Sequence, residues 1–365
     1  VQRTLSRVPS PKFPKEVVLM LKTKSLKEEL EQAGIFQNCE ARSWGKLAIF
    51  LTGVSVLLVL HATLPIFYSS LLVPITGVLC AVAAIIGHEG SHKGFSGSPT
   101  RNRLMLAITV PMLAGVSSVY WHHKHDMKHH AHPNVTDKDP DIALWPMAMS
   151  SEEYERSGRL RQWFQRHLQG ILFWPMSLFM MWDMRVAGIR FLLGDLRKYG
   201  VKRRHWIDLI GLPIHLVGWV ILPMVFFGPL ALLLYVCIWC MAGLFLSAVF
   251  APAHISLPVI HDTNDVWRLQ FETTRNFGLP RWMSFFFIGL DYQLEHHLFP
   301  KIPHQRLPKA AAITKRWAAK HGIPYHEIGF FSGLVDVTRH MAICWKIPAQ
   351  SLTTVSGEAR RRGAA

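Results

Sequence analysis

Two long stretches of this chain carry no formally charged side chain, and they constrain the fold more than any other feature. Leu47 to Gly87 is 41 residues without Lys, Arg, Asp or Glu, and Leu209 to Ala253 is another 45. Each is about twice as long as one bilayer-spanning helix, so each predicts a helical hairpin. Turns near Pro65 to Ser70 and Phe227 to Pro229 divide them into spans of about 47–64, 69–87, 209–226 and 230–252.

The composition agrees with an all-α integral membrane protein. Of 365 residues, 50% are hydrophobic and only 18% are charged, which is too apolar for an ordinary soluble protein. We divide the chain into a cytoplasmic, amphipathic amino-terminal segment (1–45), a membrane domain (46–340) and a polar tail (341–365). The sequence has neither a glycine-rich phosphate loop nor a basic-aromatic pattern, and we expect no nucleic-acid partner.

Two shorter apolar stretches, Leu104 to Trp121 and Leu168 to Trp182, are interrupted by proline or glycine. If the first of them crossed the bilayer, histidines before and after it would face opposite aqueous phases and could not share one site. We therefore predict that both stretches are interfacial or re-entrant helices. The fold is then two membrane hairpins, interfacial helices and a helical cap.

The distribution of basic residues predicts the orientation of this fold. The region from Lys93 to Arg204 holds 17 Lys and Arg, whereas the two hairpin turns hold none. Cytoplasmic loops are enriched in Lys and Arg, so both termini and the cap should be cytoplasmic, at a plasma (inner) or endoplasmic reticulum membrane. The formal net charge of +16 also suits contact with anionic lipid headgroups or with an acidic electron carrier.

Three histidine clusters adjoin the apolar segments and predict a metal centre in the cap. On a helix, His88 and His92 lie four residues apart on one face, as two ligands of one metal would. Adjacent histidines point about a quarter to a third of a turn apart, so the pairs His129/His130 and His296/His297 can each reach two neighbouring metals. With His125 they suggest a dinuclear site of neutral imidazoles.

Two iron ions in such a site would activate dioxygen and attack the unactivated C–H bonds of hydrocarbon chains, which a membrane supplies. Each ligating imidazole normally needs an acceptor for its second ring nitrogen. Several acidic residues near the clusters are candidates for that role: Asp126, Asp137, Asp139, Asp141, Asp291 and Glu295.

At these residues the chain resembles the membrane fatty acid desaturases, in particular the front-end and acyl-lipid type without a fused cytochrome b5 domain. The resemblance covers about residues 47–330 and rests on three histidine boxes: HxxxH at His88 and His92, the cluster from His125 to His130, and QxxHH at Gln293 to His297. It adds His254, after the fourth span, as a ligand. The metal ligands that it implies are His88, His92, His125, His129, His130, His254, His296 and His297.

The resemblance implies a cis double bond introduced with two non-haem irons and O2 as co-substrate. It implies electrons from a separate donor of the ferredoxin or cytochrome b5 type with its reductase, and a substrate that is an acyl-CoA, an acyl-carrier protein or an acyl lipid. The second box has an unusual spacing, and glutamine replaces the first histidine of the third. Four further residues therefore stay open as ligands: Gln293, His122, His123 and His261.

Other readings remain open. The same scaffold is compatible with hydroxylation, acetylenation, or decarboxylation to a terminal alkene. His88-Glu89-Gly90-Ser91-His92 also matches the HExxH motif of intramembrane zinc proteases, and a non-catalytic metal sensor is a third class. We expect His61 and His215 to be packing groups within spans, and a solvated face to carry His167, His205, His304, His321, His326 and His340.

Overall fold

Four helices are long and apolar enough to cross a membrane, as predicted from the uncharged stretches. The computed structural model describes residues 19–352. The first to fourth spans are Glu40–Thr63, Ile66–Ser91, Arg203–Phe227 and Pro229–His254. The second span begins directly after Pro65, so the first turn is shorter than predicted, and the span continues to Ser91. His88 therefore lies within the helix.

The second and fourth spans pack closely against each other because a glycine lies at their contact. A β-carbon at Gly77 would be only 2.6 Å from the carbonyl oxygen of Ile238. Around this contact, buried side chains such as Ile86, Trp239 and Leu246 form one apolar core. The close approach fixes the two hairpins relative to each other.

A sharply bent helix pair follows the second span and covers most of the first ambiguous apolar stretch. Pro99–Ala114 and Ser118–His129, which we name the bent pair, meet at 110°. The chain turns at Gly115, whose φ of 67° is a left-handed conformation that glycine adopts without strain. The bend agrees in shape with a re-entrant segment, and the predicted topology in the bilayer stays a prediction.

The remaining helices form the cap and the region between the bent pair and the third span. The second ambiguous stretch lies on Gln169–Ser177 and the start of Met180–Tyr199. The others are Leu19–Gln32, Ser151–Glu155, Arg159–His167, Val266–Thr273, Arg281–Phe287, Gln293–Leu298, Leu307–His321 and Phe330–Ile343, with short 3-10 turns at His304–Arg306 and Cys344–Lys346.

Four short strands, which the sequence did not predict, join distant parts of the cap. β1 (Ile260–Thr263) pairs in parallel with β4 (Gln350–Leu352), and β2 (Asn276–Gly278) with β3 (Glu327–Gly329). A second core in the cap includes Leu26, Leu30 and Trp317, so the helix Leu19–Gln32 packs on this layer.

The division into segments 1–45, 46–340 and 341–365 stays a prediction. Gln350–Leu352, which we assigned to a polar tail, form a strand of the cap. Residues 1–18 of the amino-terminal segment and 353–365 of the tail lie outside the described residues.

Candidate metal centre

The eight histidines predicted as ligands lie together at one end of the helix bundle, in two groups. Within each group, one ligand atom from each residue lies within 4.8 Å of all the others. All eight residues are buried. The five-histidine group contains His88, His92, His125, His130 and His296, and the three-histidine group contains His129, His254 and His297.

Each pair of adjacent histidines is divided between the two groups, as helical geometry predicted. His129 belongs to the three-histidine group and His130 to the five-histidine group. The third box is divided in the same way, between His297 and His296. Two neighbouring sites whose ligands come from the same adjacent residues are the arrangement that a dinuclear centre needs.

A π-helix explains the unusual spacing of the second box. Residues His122–His129 are wound as a π-helix, and the His130 amide donates to the His125 carbonyl at 3.0 Å, an i to i+5 hydrogen bond. This wider turn brings residues five apart onto one face. The Nε2 atoms of His125 and His130 are consequently 3.1 Å apart, inside one group.

The other histidines lie at the ends of apolar helices. His88 ends the second span and His254 ends the fourth, while His296 and His297 come from the short helix Gln293–Leu298. Asn134 Nδ2 donates to the His254 carbonyl at 2.9 Å and so ties the loop after the second box to the fourth span. The histidines meet because the helices that carry them finish at the same end of the bundle.

The nitrogen atoms of the two groups fit metal ions better than they fit one another. His88 Nε2 lies 2.7 Å from His125 Nε2 and 3.0 Å from His92 Nε2. Within residues 19–352, the buried Nε2 atoms of His254 and His296 have no hydrogen-bond partner. Such unpartnered nitrogens are costly unless a ligand occupies them, and a histidine set of this kind suits iron.

Burial keeps most of these imidazoles in the neutral form that binds metals. It lowers the pKa well below its ordinary value for five of them: His92, His125, His130, His296 and His297. His129 differs, because the Asp139 and Asp141 carboxylates outweigh burial and raise the pKa of its imidazole. A bound cation would compete with that proton.

Three ring nitrogens that face away from the centre are held by outer partners. His129 Nδ1 lies 3.1 Å from both carboxylate oxygens of Asp139. His254 Nδ1 donates to the Thr273 carbonyl at 3.0 Å, and His297 Nδ1 lies 3.1 Å from the Gln270 side-chain oxygen. With Nδ1 as the donor, the Nε2 lone pair of these rings points at the centre.

The acidic residues proposed as outer partners divide into two sets. Asp139 and Asp141 lie beside His129, and Asp126 lies 3.6 Å from His92 Nε2 while it binds His122 at 2.7 Å. Asp137 is wrong for this role, because its side chain is 81% exposed and lies 3.8 Å from Arg156.

The other two acidic candidates contact groups other than the histidines. Asp291 accepts from Ser284 Oγ at 2.6 Å, and Glu295 accepts from Asn276 and Tyr325. Burial raises the pKa of Glu295 to about 7, despite these donors. The sequence missed Gln270 and the Thr273 carbonyl, because a neutral amide and a backbone oxygen carry no metal-typical signal.

The four residues left open as ligands lie in neither group. His122 binds Asp126, His123 stacks on Phe191 with ring centroids 4.7 Å apart, and His261 is exposed on β1. Gln293 is buried, and its side-chain oxygen has no hydrogen-bond partner in the described part of the chain.

Two histidines that we expected on a solvated face are buried. His304 is 4% exposed, and its Nδ1 donates to Glu89 at 2.6 Å. His205 is fully buried and lies 2.7 Å from Asp195. Their partners are acidic residues that the sequence did not connect with them.

The contacts of Glu89 do not favour the HExxH protease reading. That chemistry requires the glutamate to act on a metal-bound water. Glu89 instead accepts hydrogen bonds from His304 and, at 2.9 Å, from Ser43 Oγ. Moreover, His88 and His92 share their group with three histidines from the other boxes.

Comparison with known proteins agrees with this arrangement. The chain is similar to "Fatty acid desaturase 3" of Bos taurus, with 26% identity over 342 residues, 91% of this chain and 75% of the relative. The human protein of that name is 26% identical over 260 residues, which cover 70% of this chain and 56% of the relative. "Acyl-lipid (8-3)-desaturase" of Rebecca salina is 24% identical over 332 residues, 88% of this chain and 74% of the relative.

The comparison with family models covers all three histidine boxes. The model described as fatty acid desaturase matches residues 44–329, which include the first span from its fifth residue onwards, the other three spans, the bent pair and both histidine groups. On this match, the chain belongs to the fatty acid desaturase family.

Proposed function

We propose that this chain introduces a cis double bond into a fatty acyl chain, with two iron ions held by the five-histidine and three-histidine groups. The convergence of eight histidines from four distant stretches into two adjoining groups is the observation that carries the proposal. When bound, a pair of irons supplies the activation of O2 and the removal of hydrogen from an unactivated methylene.

The protein's own residues supply position and protonation state. The ends of the second and fourth spans hold the buried His88 and His254 at the cap end of the bundle, where an acyl chain that enters from the bilayer would reach them. Asp139, Gln270 and the Thr273 carbonyl fix three rings in the tautomer that binds metal. Buried surroundings exclude bulk water from the reaction.

The names of the relatives and the distribution of basic residues support a proposal for the substrate and for the electron donor. Relatives named acyl-lipid desaturases favour an acyl chain carried by a membrane lipid over one carried by coenzyme A or a carrier protein. We propose a ferredoxin or cytochrome b5 type donor that docks on the basic cytoplasmic face. The 17 Lys and Arg between Lys93 and Arg204 support both this docking and the cytoplasmic orientation of the centre.

Lipid analysis of a host that expresses the chain tests the function. We expect a new unsaturated fatty acid with the parent chain, none with His296→Ala, and the product again with His61→Ala. His61 is also a buried histidine, but it binds Ser69 and Thr76 in the first hairpin. Identical lipids with and without the parent chain would reject the proposal, and a hydroxylated product would replace desaturation by hydroxylation.

Metal analysis of the purified protein tests the centre separately. About two irons per chain are expected, because the histidines form two groups. One zinc per chain, with no iron, would support the protease reading instead.

A further inference from the structure

The bend of the bent pair lies deep in the protein and frees backbone groups that need partners. A helix that ends leaves carbonyl groups without intrahelical partners, and a helix that begins leaves N–H groups. Both ends meet within residues 115–117, between Ala114 and Ser118. Within a bilayer, irregular backbone is tolerated where protein groups satisfy it.

Asp208 of the third span satisfies the beginning of the second helix. Its carboxylate accepts from the Ser118 amide at 2.7 Å, the Val119 amide at 3.2 Å and the Ser117 hydroxyl at 2.5 Å. Asp208 is fully buried. A negative charge at this position also stabilises the amino end of the helix Ser118–His129, which carries a partial positive charge.

Arg185 of the helix Met180–Tyr199 satisfies the end of the first helix. Its Nε donates to the Ala114 carbonyl at 2.9 Å, and the residue is only 6% exposed. The guanidinium lies over the rings of Trp239 and Trp182, at 4.4 and 4.8 Å from their centroids. The aromatic faces thus surround the positive charge of Arg185. This charge stabilises the carboxyl end of the helix Pro99–Ala114, which carries a partial negative charge.

Small residues allow these two elements to reach the bend. A β-carbon at Gly211, three residues after Asp208, would lie 2.8 Å from the Pro111 side chain. A β-carbon at Gly188, three residues after Arg185, would lie 3.3 Å from Ser117. The bend is therefore held by close packing at these two glycines as well as by the opposite charges of Asp208 and Arg185.

We propose that Arg185 and Asp208 are positioning residues that set the direction of the helix carrying the second histidine box. The helix Ser118–His129 begins where Asp208 accepts from the Ser118 amide. It carries His125 of the five-histidine group and His129 of the three-histidine group, and both also lie within reach of Asp141. Since a helix rises 1.5 Å per residue, a rotation of roughly 10° at Ser118 moves His129 by about 3 Å. That displacement exceeds the tolerance of a metal site. The ligand role of these histidines rests on the proposed function.

Iron content and amide hydrogen exchange of the purified full chain test this proposal. Asp208→Ala is expected to lose at least half of the iron of the parent chain, and to gain exchange mainly within residues 115–130. Asp208→Asn, which keeps one acceptor oxygen, should recover part of the iron. Arg185→Gln should resemble Asp208→Ala, and Arg185→Lys should lie between Arg185→Gln and the parent.

Asp195→Asn is the matched control, because Asp195 is also a hydrogen-bonded carboxylate, but its partners are Arg204 and His205 and not groups of the bend. Parental iron content in Asp208→Ala would overturn the proposal. So would increased exchange spread over all four spans, which would show a general loss of structure. If the parent chain bound no iron, the proposed function would fail, whereas localised exchange in Asp208→Ala would still support the positioning role.

Discussion

The two histidine groups and the bend at residues 115–117 are both polar clusters within apolar surroundings, but the freed backbone groups of the bend have partners, whereas ring nitrogens of the histidine groups do not. At the bend, Asp208 and Arg185 supply partners for the freed amide and carbonyl groups. In the histidine groups, nitrogens face one another at 2.7 to 3.1 Å. The Nε2 atoms of His254 and His296 have no hydrogen-bond partner in the described ranges.

The difference indicates what each cluster is for. A buried polar atom without a partner costs about 1–3 kcal/mol unless a ligand or an aromatic face compensates for the missing bond. Arg185 Nη1 and Nη2 have no hydrogen-bond partner among the described residues, but the guanidinium lies over the rings of Trp182 and Trp239. We therefore propose that the histidine groups are a binding site and that the bend supports it.

The largest expected effect is the difference in iron loading between an alanine variant of a histidine inside a group and one of a histidine outside both groups. His129→Ala should abolish iron loading, because His129 lies between the five-histidine group and the two other members of its own. His61→Ala should load iron like the parent, since His61 binds Ser69 and Thr76 in the first hairpin. Elemental analysis decides, and equal iron in both variants would show that the ligand assignment is wrong.

A smaller effect is expected from the outer partner of His129. Asp139→Asn should weaken iron binding by about 10- to 100-fold, as outer-partner substitutions typically do. Asp139 accepts from His129, and also from the Asn134 and Asp141 amides. Asp137→Asn is the control, because Asp137 is exposed. Competition with a chelator measures both affinities, and equal affinities would contradict the role of Asp139.

The bend can be strained without touching a metal ligand. Gly115→Ala should lower the free energy of unfolding by about 2–5 kcal/mol, from a left-handed φ and from overpacking. Its β-carbon would lie 2.6 Å from the His215 ring. Gly322→Ala has nearly the same left-handed backbone, with φ 65° and ψ 32°, and open space around it, so it should lose only about 1–2 kcal/mol.

Thermal unfolding in detergent compares the two glycine variants. A larger loss of stability in Gly115→Ala than in Gly322→Ala would show that packing at the bend matters beyond the left-handed backbone. Equal losses would contradict the tight fit of His215 against Gly115.

The smallest effect concerns an unsatisfied atom that we do not assign to a ligand site. Asp291 Oδ1 has no partner among the described residues, and burial raises the pKa of Asp291 to about 6. The folded state therefore favours the protonated carboxyl group of Asp291. Its contribution to the free energy of unfolding is fully present below about pH 4 and is lost as the pH rises through 6.

Asp291→Asn removes the charge and should raise stability at pH 8 by about 1–2 kcal/mol, with little change at pH 4. Unfolding midpoints at the two pH values measure the effect, and iron content should stay parental. A loss of iron in Asp291→Asn would mean that even isolated unsatisfied atoms in the cap belong to the metal centre.

Local patterns in the sequence were enough to predict the spans and the separation of neighbouring histidines. The spans follow from the length of uncharged stretches, although the first and third begin at Glu40 and Arg203, before the predicted positions 47 and 209. The separation of His129 from His130, and of His296 from His297, follows from the angle between neighbours on a helix. Both features depend on residues that are close in the chain, whereas His254 was added by the resemblance to the desaturase family.

The support around the site depends on distant residues and could not be predicted. Glu89 and His304 are 215 positions apart, and Asp208 and Ser118 are 90 positions apart. Gln270 became a partner of His297 only because the cap folds the helix Val266–Thr273 against the third box. The π-helix at the second box was likewise not predicted, because π-helices are rare.

The contact at Gly77 has a consequence for the membranes in which this fold can work. Between Gly77 and His88 the second span has a fixed number of residues, and any insertion there would rotate and shift His88 relative to His254. Between Ile66, where the second span begins, and Gly77, an insertion would leave the spacing from Gly77 to His88 unchanged. Adaptation to a thicker or thinner bilayer is therefore expected on the hairpin-turn side of Gly77, with the half that carries His88 unchanged in length.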